Sequence, residues 1–167
     1  MESIVYSANT LTVIASIAIA IAGFSGVVVA LTGRTTDRFD PVERLNLRIL
    51  LQVSSEALVF SLVPLIAHRA VDSDTAWRFS MLLYGSVHLL DAGYFVVRTL
   101  RSNSRSFIQL VMPILGSCIA VGQLIIGIIG SIVAVEVVYL LVLIWHLAIA
   151  GMGFMFLIFA SRKLDTD

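Results

Sequence analysis

Long apolar stretches broken by short polar clusters set the pattern of this chain. Residues 3–33 contain no Asp, Glu, Lys or Arg, and residues 106–161 contain one, Glu136. An apolar run of about 20 residues is enough to cross a bilayer, and both runs are longer. The pattern predicts five membrane-spanning helices, at 9–31, 41–67, 77–98, 107–128 and 133–160. The fold class is all-α: a polytopic membrane protein, one five-helix transmembrane domain over 1–167.

The breaks carry helix-boundary chemistry. In Asp40-Pro41-Val42-Glu43, Asp40 suits an N-cap, Pro41 the first helical position, and Glu43 can reach back to the cap. Ser73 or Asp74 can cap the third helix, and Ser104 or Ser106 the fourth. Gly127, Gly130 and Ser131 supply the turn between the fourth and fifth helices, a turn that no charged residue marks. An undivided helix there would be about 80 Å long at 1.5 Å per residue, which no bilayer requires.

Basic residues add an orientation. Arg34, Arg38, Arg44, Arg48, Arg98, Arg101, Arg105, Arg162 and Lys163 fall on one side of a five-span chain, and Arg69 and Arg78 on the other. The positive-inside rule then puts the N-terminus outside and the C-terminus in the cytoplasm. The first apolar run lacks a basic leader and is too long for a signal peptide, so it reads as a retained helix. The expected location is an inner (plasma) membrane of prokaryotic type, with lipids as partners.

Composition narrows the function classes. Of 167 residues, 59% are hydrophobic and 13% charged, against about 25% charged in soluble domains. Net charge is zero, so no basic field exists to bind nucleic acid. Cys118 is the single cysteine and cannot form an intrachain disulfide. No HExxH, GxSxG or Walker A motif occurs, which puts enzymatic chemistry last.

Ionisable residues within apolar spans are costly and need a reason. On the second helix, Arg44, Arg48, Gln52 and Glu56 recur every four residues and share an arc of about 120°. On the third, Ser80, Tyr84, His88, Asp91 and Arg98 share about 80°, and His88 and Asp91 are close enough in sequence to touch. On the fifth, Glu136, Tyr139, His146, Ala150 and Gly153 lie within about 100°. Glu56, His88, Asp91 and His146 are expected at similar depth. If their faces meet, they form an intramembrane cluster; the plainer reading is a set of buried groups, each satisfied by an ordinary neighbour. Gln109, Ser117 and Gln123 on the fourth helix can bond across helices.

Three functions compete. The first is a small channel or transporter, a homo-oligomer, with Arg48 and Gln52 at the cytoplasmic mouth and Glu56, His88 and Asp91, near Tyr84, along a path for an ion, a proton or a small solute. The second is a membrane interaction or sensor subunit. Its working surface would be the small-residue ridge Ala15, Ala18, Ala22 and Gly26, which also suits contact with a second copy. The third is a redox protein, with His88 and His146 as haem ligands or with His88, Asp91, His146 and Glu56 around a metal. The first is favoured, with no cofactor expected.

Overall fold

Where every residue of a segment can satisfy its backbone within that segment, apolar surroundings impose helix. The computed structural model describes the backbone of residues 2–31, 41–101 and 107–162, and the side chains of 8–30, 43–101 and 111–158. Within them lie α1 (Glu2–Leu31), α2 (Pro41–Ala67), α3 (Ser73–Arg101), α4 (Phe107–Ile129) and α5 (Ile132–Arg162). All five are long and apolar enough to cross a membrane, as expected of a multi-pass membrane protein. The capping roles of Asp40, Ser104 and Ser106, the positions of Arg34, Arg38, Arg105 and Lys163, and the side chains of Gln109 and Arg162 lie outside the described residues.

The starts of α1 and α3 move furthest from those expected, and α3 ends at Arg101 rather than residue 98, α4 at Ile129 rather than 128, and α5 runs Ile132–Arg162 rather than 133–160. α1 starts at Glu2 rather than residue 9; inside it Thr12 Oγ1 donates to Ala8 O at 2.9 Å and Ser16 Oγ to Thr12 O at 2.9 Å, so these hydroxyls are satisfied within the helix. α3 starts at Ser73 rather than residue 77, because its cap is Asp72 and not Ser73 or Asp74. Thr75 N donates to Asp72 Oδ1 at 3.0 Å and Ala76 N to Asp72 O at 2.9 Å. The first turn of α3 is polar, so the apolar pattern begins one turn late.

The α4–α5 turn falls at Gly130 and Ser131. A side chain at residue 130 would meet Ile126 O at 2.5 Å, so only glycine fits. Ser131 opens α5: Val135 N donates to its carbonyl at 3.0 Å and Ala134 N to its hydroxyl at 3.3 Å. The charge missing from this stretch of sequence arrives from α3. Arg78 donates to Gly127 O at 3.0 Å, Ile128 O at 3.4 Å and Gly130 O at 2.9 Å, satisfying carbonyls at the end of α4 that no helical N–H reaches.

The chain groups into two units, Met1–Val63 with Leu143–Asp167, and Pro64–Val142. In the second, α3 and α4 run antiparallel with glycines at their contact. A Cβ at Gly85 would lie 3.1 Å from Leu124 Cδ2 and 3.2 Å from Gln123 Cβ, and one at Gly127 would lie 3.0 Å from Leu82 Cδ2. These glycines let the two helices approach closely, the packing device that the sequence suggested for α1. In the first unit Gly153 does the same for α2 and α5, with Leu50 Cβ 3.1 Å from a Cβ built there.

Two outcomes follow. Gly85→Leu should lower thermal stability in detergent by about 1–3 kcal/mol through overpacking, while Gly93→Leu on the same helix, where nothing lies within 4 Å, should leave it near wild type. At the exposed α3 start, the Thr75 backbone N–H holds the Asp72 carboxyl below its usual value of 3.8. The cap is therefore at full strength above that value and is lost as pH falls through the lower folded-state value. Asp72→Asn should keep the Thr75 amide protected from hydrogen exchange without that acid-dependent loss, and Asp72→Ala should remove the protection at every pH.

Candidate functional site

The polar stripe on α2 becomes less exposed along its length. Arg44 and Arg48 are exposed and Gln52 is half-buried. Two turns beyond Arg48, the Glu56 side chain is 12% exposed, and its partner on α5, His146, is 3% exposed. Gln52 Nε2 donates to Glu56 Oε1 at 3.2 Å, and Glu56 Oε2 lies 3.3 Å from His146 Nε2. A carboxyl, an imidazole and an amide thus form one connected set within the first unit.

The helices position this set by simple register. His146, Ala150 and Gly153 fall on one face of α5, and both His146 and Ala150 are buried. Gly153 meets Leu50 of α2, and His146 meets Glu56. Moving almost two turns forward on α2 moves about two turns back on α5, the relation of antiparallel neighbours. Small residues at 150 and 153 bring the backbones close enough for the shorter Glu56 side chain to reach the imidazole.

In the second unit, His88 Nδ1 lies 2.8 Å from Gln123 Oε1, a bond between α3 and α4 in which the imidazole N–H donates. Tyr84 stacks on His88 with ring centroids 6.2 Å apart, and edge contacts follow: Tyr84 to Tyr139 at 5.4 Å, Tyr139 to Trp77 at 5.5 Å, Trp77 to His68 at 5.8 Å. Tyr84 and Tyr139 are fully buried. These contacts link five rings in one ladder. Asp91, one turn from His88, is half-buried.

Of the four ionisable candidates, the structure joins Glu56 to His146, and gives His88 the Gln123 amide. Ser117, expected to bond across helices, instead donates to its own Pro113 carbonyl at 2.9 Å, as Ser80 does to Ala76 at 2.7 Å. Such local bonds relieve a helical hydroxyl without help from a neighbour. In the α1 ridge, Ala15 and Ala18 are buried within the chain, Ala22 is half-buried, and Gly26 is exposed with nothing within 4 Å of a built Cβ. Among the described residues, no three His, Cys, Asp or Glu come together as a metal-binding group. A groove of about 510 Å³ between α1 and α5 in the first unit is lined mainly by apolar side chains, with Asn9 and Thr10 among them, and touches none of the candidates.

The ring ladder was missed from the sequence, although its spacing is visible: Trp77, Met81, Tyr84 and His88 follow one face of α3, and all four are buried. The partner face on α4, Gly116, Ala120, Gln123 and Gly127, is equally regular and fully buried. One buried polar residue among small ones is the signal that a polar partner crosses there.

Removing one member of a buried charged or hydrogen-bonded pair strands the other. Glu56→Ala or His146→Ala should each destabilise the protein by about 3–5 kcal/mol. In the double variant the loss should be smaller than the sum, by at least about 1 kcal/mol. Strict additivity of the unfolding midpoints in detergent would show that the pair does not interact.

Known protein families, curated proteins and solved structures were all compared with this chain, and none matches; its function has to be read from its geometry.

Proposed function

We propose that this chain is a multi-pass membrane protein that moves an ion or small solute across the bilayer, with the Glu56–His146 pair as its proton-exchanging group. The observation that carries this reading is the 3.3 Å approach of a carboxylate oxygen to an imidazole nitrogen, both on helices long and apolar enough to span a membrane. The uneven distribution of Arg and Lys supports an N-terminus outside and a C-terminus in the cytoplasm.

The chemistry favours exchange over plain packing. A purely structural contact at this place is supplied as well or better by apolar side chains, because desolvating two ionisable groups offsets much of their attraction. Ionisable residues inside membrane spans characteristically mark ion paths and proton relays. The pair has two accessible forms differing by one proton. Without it, the carboxylate faces a neutral imidazole and the pair carries one negative charge. With it, the pair is neutral, as carboxylate with imidazolium or as acid with imidazole. Gln52 donates to Oε1 at 3.2 Å, a bond that a carboxylate oxygen or an acid's carbonyl oxygen can accept. A local change of one unit charge in apolar surroundings is large enough to shift the energy of a nearby cation or of a helix arrangement.

The test is flux into liposomes reconstituted with the purified protein, measured for a panel of monovalent ions and small solutes with and without an imposed proton gradient. A gradient-dependent flux is expected for the wild type. Glu56→Gln, which keeps the shape and removes the exchangeable proton, should reduce the dependence on the gradient at least tenfold. Unaltered gradient dependence in that variant would take the pair out of the pathway. Absence of flux for every species would rule out transport.

A further inference from the structure

The groove between α1 and α5 in the first unit is polar at one end and apolar at the other, and its ends fall at different depths of a bilayer. α1 has 30 residues and α5 has 31. At 1.5 Å per residue each is about 45 Å long, the thickness of a bilayer with its headgroup layers. Ile17 and Leu147 both line the groove, and they stand at the midpoints of Glu2–Leu31 and Ile132–Arg162. In a bilayer that these helices cross from end to end, they mark the midplane. Asn9 lines the other end, eight residues before Ile17, about 12 Å along the helix. The hydrocarbon layer ends about 15 Å from the midplane. Helical side chains tilt toward the amino end of their helix, so the exposed Asn9 amide reaches the level of the lipid ester groups. Between the two levels the walls are Val13, Ile14 and Ile144. Helices that associate in lipid meet at small residues, and among the described residues no Gly, Ala or Ser lines this groove. Branched aliphatic walls under a carboxamide suit a fatty chain under its ester.

We infer that the α1–α5 groove holds one glycerolipid from the leaflet at the amino end of α1, with an acyl chain along Val13, Ile14 and Ile17 and an ester carbonyl accepting a hydrogen bond from the Asn9 amide. The inference uses the membrane-spanning part of the function proposed above and is independent of proton exchange, because the groove touches neither Glu56 nor His146. A chain that leaves bulk lipid for the groove gains no hydrophobic energy, since both surroundings are hydrocarbon. Retention therefore comes from dispersion contacts with the groove walls and from the ester hydrogen bond. That bond makes the site selective: an ether-linked lipid of the same shape has no carbonyl to offer.

The test is native mass spectrometry of the full-length chain in detergent, titrated with a diester phosphatidylcholine and with the diether phosphatidylcholine of equal chain length. The wild type should bind one diester lipid about fivefold more tightly than the diether lipid, the order expected of one hydrogen bond. Asn9→Leu should remove that preference. Ile17→Trp, which fills the deep end of the groove, should weaken binding of both lipids about tenfold or more. Should Ile17→Trp lower the unfolding midpoint, Val13→Trp serves in its place, at a side chain that is 57% exposed. Equal affinity for the two lipids, an ester preference that survives Asn9→Leu, or undiminished binding in the tryptophan variant would each overturn the inference. A lipid-free wild-type dimer that the tryptophan variant dissociates would also overturn it, and would assign the groove to a second copy of the chain. None of these outcomes bears on the Glu56–His146 pair, whose reading stands or falls with the flux measurement.

Discussion

A carboxyl group enclosed by apolar helices must find a partner, take up a proton or reach water, and Glu56 organises the first unit around that requirement. Its two oxygens face different groups: Oε1 the Gln52 amide on its own helix, Oε2 the His146 imidazole on α5. The second contact requires two helices to approach closely, and Ala150 and Gly153 on α5 allow it. The packing of α2 on α5 and the chemistry of the pair are thus one arrangement. A larger residue at 153 would meet Leu50.

Elsewhere many helical hydroxyls are satisfied within their own helix. Ser25, Ser55, Ser61, Ser80, Ser86 and Ser117 all donate to the carbonyl four residues earlier. Helical hydroxyls therefore leave few hydrogen bonds to be made between helices. Long-range polar contacts stand out against that background. Arg78 reaches across the fold to the α4–α5 turn and closes carbonyls that an abrupt helix end leaves open. It contributes a cation where the negative end of the α4 dipole lies.

The number of helices was legible because apolar length alone decides it, and the α2 boundaries were legible because Pro41 and the polar residues after Ala67 mark them. The start of α3 was hidden by its polar first turn, where the cap Asp72 acts through Thr75 and not through an apolar pattern. The face was readable for Glu56 and His146, since a period of 3.6 residues fixes it. Which face meets which was not readable, because that depends on where backbones come close. Glycines at 85, 127 and 153 control it, and a glycine with a neighbour at 3.1 Å looks in sequence like one with open space beside it, such as Gly93. The alanine-rich ridge of α1 drew attention for the same reason.

The two mid-helix histidines show how a partner decides what a side chain can do. His88 faces the Gln123 amide, which orients its ring. The stacked Tyr84 ring adds orientation of the same kind. Gln123 is itself fully buried, its Oε1 accepts from His88, and its Nε2 finds no hydrogen-bond partner among the described residues, which carries an energetic cost. His146 faces a carboxyl, which can balance an imidazolium, donate a proton or accept one. The pairing with Gln123 suits a rigid joint between α3 and α4, and the pairing with Glu56 suits a group whose charge changes. On the function proposed above, proton chemistry belongs to α2 and α5, while the ring contacts of the second unit join α3 to its neighbours.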